Sequence, residues 1–190
     1  MAGLILALDI ATNTGAAFGD PADGLPALTS ARFGEPGDSL EASFAAAMCW
    51  MENLLNARNP SRVVFESPLQ PSFMRGHTTA TTIRKLQGLA AIIGGTAHRM
   101  GFFNIAEAPV ADIRMHFLGS RRIKSAEAKK ATIARCRELG LAPKNDNEAD
   151  AAALWFYAAG LHAAQPELIV CPRAQKPKKP GQSTSRRAKV

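Results

Sequence analysis

Residues 4–15 read LILALDIATNTG, and this stretch decides the fold. Leu4 to Ile10 is a short apolar run of strand length, consistent with a strand buried on both faces. One acid, Asp9, interrupts it near its end. A carboxylate at the end of a central strand is costly unless it is paired or holds a cation. An Asx-type turn with the Thr12–Gly15 backbone accounts for Asp9 alone equally well. Ala11–Thr14 reads as a polar turn, and Gly15–Phe18 as a second strand folded back on the first. The opening MAGLILALDI has no basic n-region, so it is read as a strand and not as a secretion signal.

Working outward, a turn cluster at Asp20–Leu25 leads to an expected third strand at Leu28–Phe33. Asp38 or Ser39 caps a helix over Leu40–Arg58, whose Phe44, Met48, Met51 and Leu55 recur at helical spacing before Asn59-Pro60 ends it. Val63–Phe65 is a β-branched and aromatic strand that delivers Glu66. A loop containing Pro68, Pro71 and Gly76 follows. A long helix is expected from about Thr79 to Met100, with Ile83, Leu86, Ala90, Ile93 and Ala97 on one stripe and Gly94 and Gly95 allowing close approach of another backbone. A fifth strand is expected at Phe102–Ala106, a turn and short helix at Pro109–Leu118, and helices at Ser125–Leu139 and Glu148–Ala163. Gly140 serves as the C′ residue of the first of these last two. The pattern predicts a single α/β domain over residues 1–170, with a mixed five-stranded sheet flanked by helices. A disordered basic tail is expected over 171–190.

Glu66 repeats the situation of Asp9, an acid ending an interior strand. In open α/β sheets, sites form outside the carboxyl ends of strands. A third acidic piece is Asp146-Asn147-Glu148-Ala149-Asp150. Asp150 shares a helix face with Leu154, Tyr157 or Ala158, and Leu161, a face that must pack on the sheet. Helix-dipole preference explains Asp146 and Glu148 but not an acid on the apolar face. Asp146, four residues earlier, joins Asp150 if the helix extends back that far. Carboxylates that converge repel one another, and oxygen-only ligands suit Mg2+ or Mn2+. Two such ions can activate water and stabilise the leaving oxygen of a phosphodiester.

The charge is unevenly placed. The 190 residues carry a net +7, and Pro172–Val190 holds seven basic residues and no acid, so the body is neutral. Within that body, residues 62–144 carry 14 basic residues against 5 acids, flanked by acidic segments. A basic middle around an acidic centre suits a polyanion partner, while a solvated surface explains the charge alone equally well. Hydrophobic residues make up 46% of the chain, yet no apolar run approaches the roughly 18–20 residues of a bilayer span, so no membrane role is expected. Cys49, Cys136 and Cys171 are dispersed and odd in number, which argues against a zinc site or disulfide framework and fits a reducing cytoplasm.

LILALDIATNTG, VVFES and DNEADAAALWFYA occur in an order and spacing that resembles RuvC-type Holliday-junction resolvases, most of all their phage-like relatives, over roughly residues 3–163. The resemblance implies a ribonuclease H-like fold, a homodimer, and Mg2+-dependent cleavage of branched DNA by direct attack of water. It implies metal and catalytic roles for Asp9, Glu66 and Asp150. The family often spaces its last two acids by three residues, where this chain has Asn147, so Asp146 is taken as the fourth member. DNA contacts are expected from Phe73, by stacking on opened bases, and from Arg75, Arg84, Lys85, Arg121, Arg122, Lys124 and Lys129. A loop anchored into the core explains Phe73, and a solvated helix face explains Lys129 and Lys130, nearly as well. His77 and His116 are read as structural. A non-cleaving ribonuclease H-like module that grips branched DNA or a protein partner is the alternative function. Actin-like sugar kinases also open with Asp in a strand-turn-strand, but they need a second similar domain that 190 residues do not provide.

Overall fold

A computed structural model of the chain describes residues 3–67 and 79–164, with side chains described as far as residue 161. Phe73, Arg75, His77 and the expected tail at 171–190 therefore lie outside the described residues. The elements run β1 (Ile5–Asp9), β2 (Asn13–Gly19), β3 (Ala27–Arg32), α1 (Leu40–Arg58), β4 (Arg62–Glu66), α2 (Ala80–Arg99), β5 (Ile105–Ala108), α3 (Val110–Leu118), α4 (Ser125–Glu138) and α5 (Asp146–Ala164). The five strands form one mixed sheet in the order β3-β2-β1-β4-β5. β1 pairs antiparallel with β2 and parallel with β4, which puts β1 at the centre.

Side-chain parity then sorts the strands between two cores. Leu6 and Leu8 of β1, with Val63 and Phe65 of β4, join Met51 and Leu55 of α1 and Leu89 and Ile93 of α2 on one face. Ile5 and Ala7, with Val64, join Leu154 and Trp155 of α5 on the other. Because successive residues of a strand alternate faces, Asp9 continues the Ile5–Ala7 row and Glu66 continues the Val64 row. The register Leu8↔Phe65 brings these two positions side by side. Both acids thus emerge from adjacent strand ends on the face that α5 covers. Trp155 ties α5 down by donating its indole N–H to the Gly19 carbonyl at 3.2 Å.

Local chemistry sets the helix ends. Ser39 accepts from the Ala42 N–H, and Asn59 takes up the left-handed conformation (φ 46°) that closes α1 before Pro60. Thr79 caps α2 by accepting from the Thr82 N–H. At the other end of α2, Gly101 (φ 90°) and Phe102 return N–H groups to His98 and Ala97, a Schellman closure. Phe102 is therefore committed to capping the helix, and β5 starts at Ile105, opposite Val63, later than the expected Phe102. α5 starts earlier than expected, at Asp146, because the Asn145 side chain accepts from the Glu148 N–H at 2.9 Å.

The expected stripe of α2 is partly redistributed. Leu89, Ala90, Ile93 and Ala97 are buried, whereas Ile83 and Leu86 are half-buried. A side chain at Gly94 would face the Phe65 ring and one at Gly95 would meet open space, while Gly88 is where the Phe44 ring of α1 seats. The C-terminal half of α2 is thus occupied by its own sheet and by α1. Leu161, expected on the packed face of α5, is 40% exposed, whereas Leu154 and Ala158 on that face are buried. Among the described residues no helix is long and apolar enough to cross a membrane.

Candidate active site

A cleft of about 580 Å3 opens where β1 and β4 end, walled by α3, α4 and the first turns of α5. Asp9, Glu66, Asn147 and Asp150 line it together with Arg114, Arg121 and Lys129. The structure therefore places three of the four expected acids on one surface. Asp9 and Glu66 arrive by strand parity. Asp150 arrives on the face of α5 that also carries buried Leu154 and Ala158.

These carboxylates are held in an unfavourable state when ionised. Burial, then the charges of Glu66 and Asp150, push the Asp9 carboxyl well above the usual carboxylate range. Burial and Asp150 push Glu66 up to about 7. Burial raises Asp150 to about 6, against the lowering effect of Lys129. The turn after β1 does not explain Asp9. Among the described residues it is Thr14 that closes this turn, donating to the Ala11 carbonyl at 2.7 Å and accepting from the Ala11 N–H.

Asp146 stands differently. It is partly exposed on the first turn of α5 and pairs with the Lys129 ammonium from α4. This hydrogen bond lowers the Asp146 carboxyl and raises the Lys129 ammonium. Asp146 still raises the Asp9 and Asp150 carboxyls through space, so it borders the cluster without lining the cleft. Glu148, the other acid of this turn, faces inward at 1% exposure. It accepts from Ser30 Oγ at 2.9 Å and from the Lys144 N–H at 2.8 Å, which fixes the entry of α5 against β3. Its bonding partners give Glu148 a structural role away from the cleft.

Among the described residues, no three His, Cys, Asp or Glu side chains already close into a ligand shell. The donor set nonetheless fits a hard divalent cation: carboxylate oxygens and an Asn amide oxygen, desolvated together, with no soft ligand among them.

One glycine sets how closely these elements meet. Gly15 lies directly across from Asp9 on β2. A Cβ there would sit 2.0 Å from the Asn147 carbonyl oxygen, at the start of α5. That contact is with backbone, so a side chain displaces the helix that carries Asp150. Gly15→Ala is expected to cost about 1–3 kcal/mol by overpacking and to weaken Mn2+ binding roughly tenfold, about 1.4 kcal/mol. Thermal unfolding and Mn2+ titration of the folded variant measure both. Unchanged Mn2+ affinity shows that Gly15 does not govern the spacing.

The remaining expected residues divide. Arg121 lines the cleft but is paired with Asp112 at 2.9 Å. Arg122 and Lys124 are exposed beside it, and Arg84 and Lys85 lie on the first turns of α2; none of these four lines the cleft. His116 stacks edge-on with Tyr157 at 5.8 Å. Arg114, absent from the expected set, lines the cleft from α3. Its signal was a lone base at helical spacing between Val110 and Phe117, on a face otherwise apolar.

No protein-family model matches the chain, and no curated protein matches it. Among solved structures, Thermus thermophilus RuvC superposes with a TM-score of 0.62 at 16% identity, covering 85% of this chain and 96% of that one. T. thermophilus RuvC in complex with a Holliday junction substrate superposes with a TM-score of 0.64 at 13% identity, covering 85% and 95%. The chain has the ribonuclease H-like fold of these structures, a mixed five-stranded sheet with five helices.

Proposed function

We propose that this ribonuclease H-like chain is a divalent-metal-dependent endonuclease acting on branched DNA, with Holliday junctions as its substrate class. The observation that carries the reading is the convergence of Asp9, Glu66 and Asp150 in one cleft, half-buried and mutually repelling. A fold maintains such a cluster at a cost in stability, and cation binding offsets that cost. The likeness to RuvC, one of whose structures holds a Holliday junction, supports branched DNA as the substrate.

Asp9, Glu66 and Asp150 would hold Mg2+, or Mn2+, with Asp146 at the border of the shell. Bound divalent cations would supply an activated water and stabilise the leaving oxygen. Asp146 and Lys129 neutralise each other, which keeps a cation beside the acids without blocking them. Arg121, Arg122, Lys124 and Lys129 lie on or beside the cleft wall, where they would hold DNA backbone. Phe73, Arg75, Arg84 and Lys85 are assigned to the DNA surface on the sequence argument. A homodimer is proposed on the same basis, with the half-buried Ile83 and Leu86 of α2 available for it. A reducing cytoplasm accords with Cys49 and Cys136 as free thiols. A junction-binding module that does not cut draws support from Asn147, which lines the cleft where a further acid would add charge.

The wild-type protein is expected to nick a synthetic four-way junction in Mg2+ or Mn2+, and to spare linear duplex of the same sequence. Junction binding without any cleavage in either metal selects the non-cutting module. Neither binding nor cleavage of any branched DNA overturns both readings.

A further inference from the structure

Two acids sit on the first turn of α5, and Glu148 is the one that turns inward. Both of its oxygens are taken by neutral donors. Oε1 accepts from Ser30 Oγ at 2.9 Å and Oε2 from the Lys144 N–H at 2.8 Å. Asn145 closes a ring: its Oδ1 accepts from the Glu148 N–H at 2.9 Å, and its Nδ2 donates to Ser30 Oγ at 3.1 Å. Two of these bonds are local and would cap α5 in any setting. The two that reach Ser30 are not, because Ser30 lies on β3, 118 residues from Glu148. A carboxyl group at 1% exposure is costly, and an apolar side chain would fill the same space with less penalty. What the carboxyl group adds is direction, since each oxygen is held by a fixed donor.

The strand registers place Ser30 in one row with the acids. Asp9 pairs with Gly15 across β1 and β2, and Gly15 pairs with Ser30 across β2 and β3. The start of α5 crosses this row. The backbone of Asn147 passes over Gly15, where a Cβ would come within 2.0 Å of its carbonyl oxygen. Glu148 leaves the helix on one flank, toward β3. Asp150 comes two residues later, about 200° farther round the helix, and lines the cleft at the ends of β1 and β4. The Gly15 contact sets the height of this turn above the sheet, and the Ser30 bond sets its roll. A roll that stretches the Ser30 bond swings Asp150 relative to Asp9.

We infer that Glu148 is a positioning residue: by tying α5 to Ser30 of β3 it sets Asp150 against Asp9, and so governs how tightly the cleft holds a divalent cation. This rests on the cation-site and nuclease reading above. It makes the edge strand β3 part of the active-site frame, although no residue of β3 lines the cleft. Glu148 does not line it either, so its effect passes through Asp150 and the Asn147 backbone.

The test compares wild type with Glu148→Ala, Glu148→Gln and Ser30→Ala, each well below its thermal midpoint. Mn2+ affinity is measured by titration without DNA, and kcat and KM on a four-way junction in Mn2+. Glu148→Ala is expected to bind Mn2+ roughly 10- to 100-fold more weakly. Its kcat should fall roughly 100-fold, with the junction KM within about threefold of wild type because the DNA contacts are untouched. Ser30→Ala, which removes one link of the ring, is expected to weaken Mn2+ binding roughly tenfold. Glu148→Gln keeps an oxygen for the Lys144 N–H and an N–H for Ser30 Oγ, so it should recover Mn2+ affinity and kcat to within about threefold. If Glu148 only fills space and caps the helix, Glu148→Ala lowers the midpoint but the folded variant binds Mn2+ as wild type does, which overturns the inference. Glu148→Gln as impaired as Glu148→Ala also overturns it, because Glu148 then acts through its charge. If Glu148→Ala fails to fold, Ser30→Ala decides: weaker Mn2+ binding supports the positioning role, and wild-type binding overturns it. A wild type that binds Mn2+ yet cuts nothing overturns the nuclease reading, and the Mn2+ affinities then decide on Glu148 by themselves. A wild type that neither binds Mn2+ nor cuts overturns both.

Discussion

Asp9→Asn is expected to abolish Mg2+-dependent nicking of a four-way junction while making the metal-free protein more stable at neutral pH. The two effects have one origin. Asp9 is half-buried at the end of the central strand, and the charges of Glu66 and Asp150 oppose its ionisation. An asparagine keeps the size and one oxygen but removes the charge. The expected fall in rate is about 1000-fold or more, equivalent to roughly 4 kcal/mol of transition-state stabilisation. The thermal midpoint without metal should rise by several degrees, because each kcal/mol is worth about 2–4 °C in a chain of this size. A structural acid behaves in the opposite way, since its removal strands hydrogen-bond donors and lowers the midpoint. Glu148, with its bonds to Ser30 Oγ and the Lys144 N–H, is such an acid. If Asp9→Asn proved less stable than wild type without metal and still cut junctions, Asp9 would be structural and the proposed site would be wrong.

Stability of the metal-free protein should fall as pH rises, and Mg2+ should reverse the fall. Glu66 is raised from 4.5 to about 7 and Asp150 from 3.8 to about 6. Between those limits the folded chain holds more protons than the unfolded chain, so stability decreases with increasing pH. The contribution is fully present below about pH 4 and is lost once pH passes about 7. A tenfold change in proton affinity on folding is worth about 1.4 kcal/mol, so two such groups, even allowing for their coupling, amount to a few kcal/mol. The midpoint is therefore expected to be higher at pH 5 than at pH 8 by about 5–10 °C. Mg2+ binds the deprotonated cluster and competes with protons. Millimolar Mg2+ should accordingly raise the midpoint at pH 8 and leave it nearly unchanged at pH 5. Scanning calorimetry across pH, with and without metal, measures both. Asp9→Asn should flatten the pH slope and weaken the Mg2+ response, which ties the effect to the cleft and not to acids elsewhere. A midpoint indifferent to pH and to both Mg2+ and Mn2+ would mean that the carboxylates do not form a cation site.

Much of this arrangement was legible in the order of residues. Strand runs are a local signal, so the sequence already put Asp9 and Glu66 at the ends of two interior strands, while the register between β1 and β4 put them on one sheet face. Helical periodicity similarly placed Asp150 among Leu154 and Ala158. The expected cap at Ser39 and C′ residue at Gly140 marked helix ends from local chemistry, and the structure has Ser39 capping α1 and Gly140 at positive φ after α4. The element order and the mixed sheet followed from these signals, with β5 displaced only because Phe102 is used to close α2.

Tertiary structure decided what depends on the distance and rotation of one element against another. Helical spacing set Asp150 apart in the 146–150 turn but left Asp146 and Glu148 alike, and in the structure Asp146 meets Lys129, Glu148 enters the core toward Ser30, and Asn147 joins Asp150 in lining the cleft. That division depends on how α5 is rotated, which Trp155, Glu148 and the bare backbone of Gly15 settle through contacts with β2 and β3. Alternation and capping act over a few residues and can be read along the chain. The spacing between Asp9 and Asp150 arises from packing between segments more than a hundred residues apart.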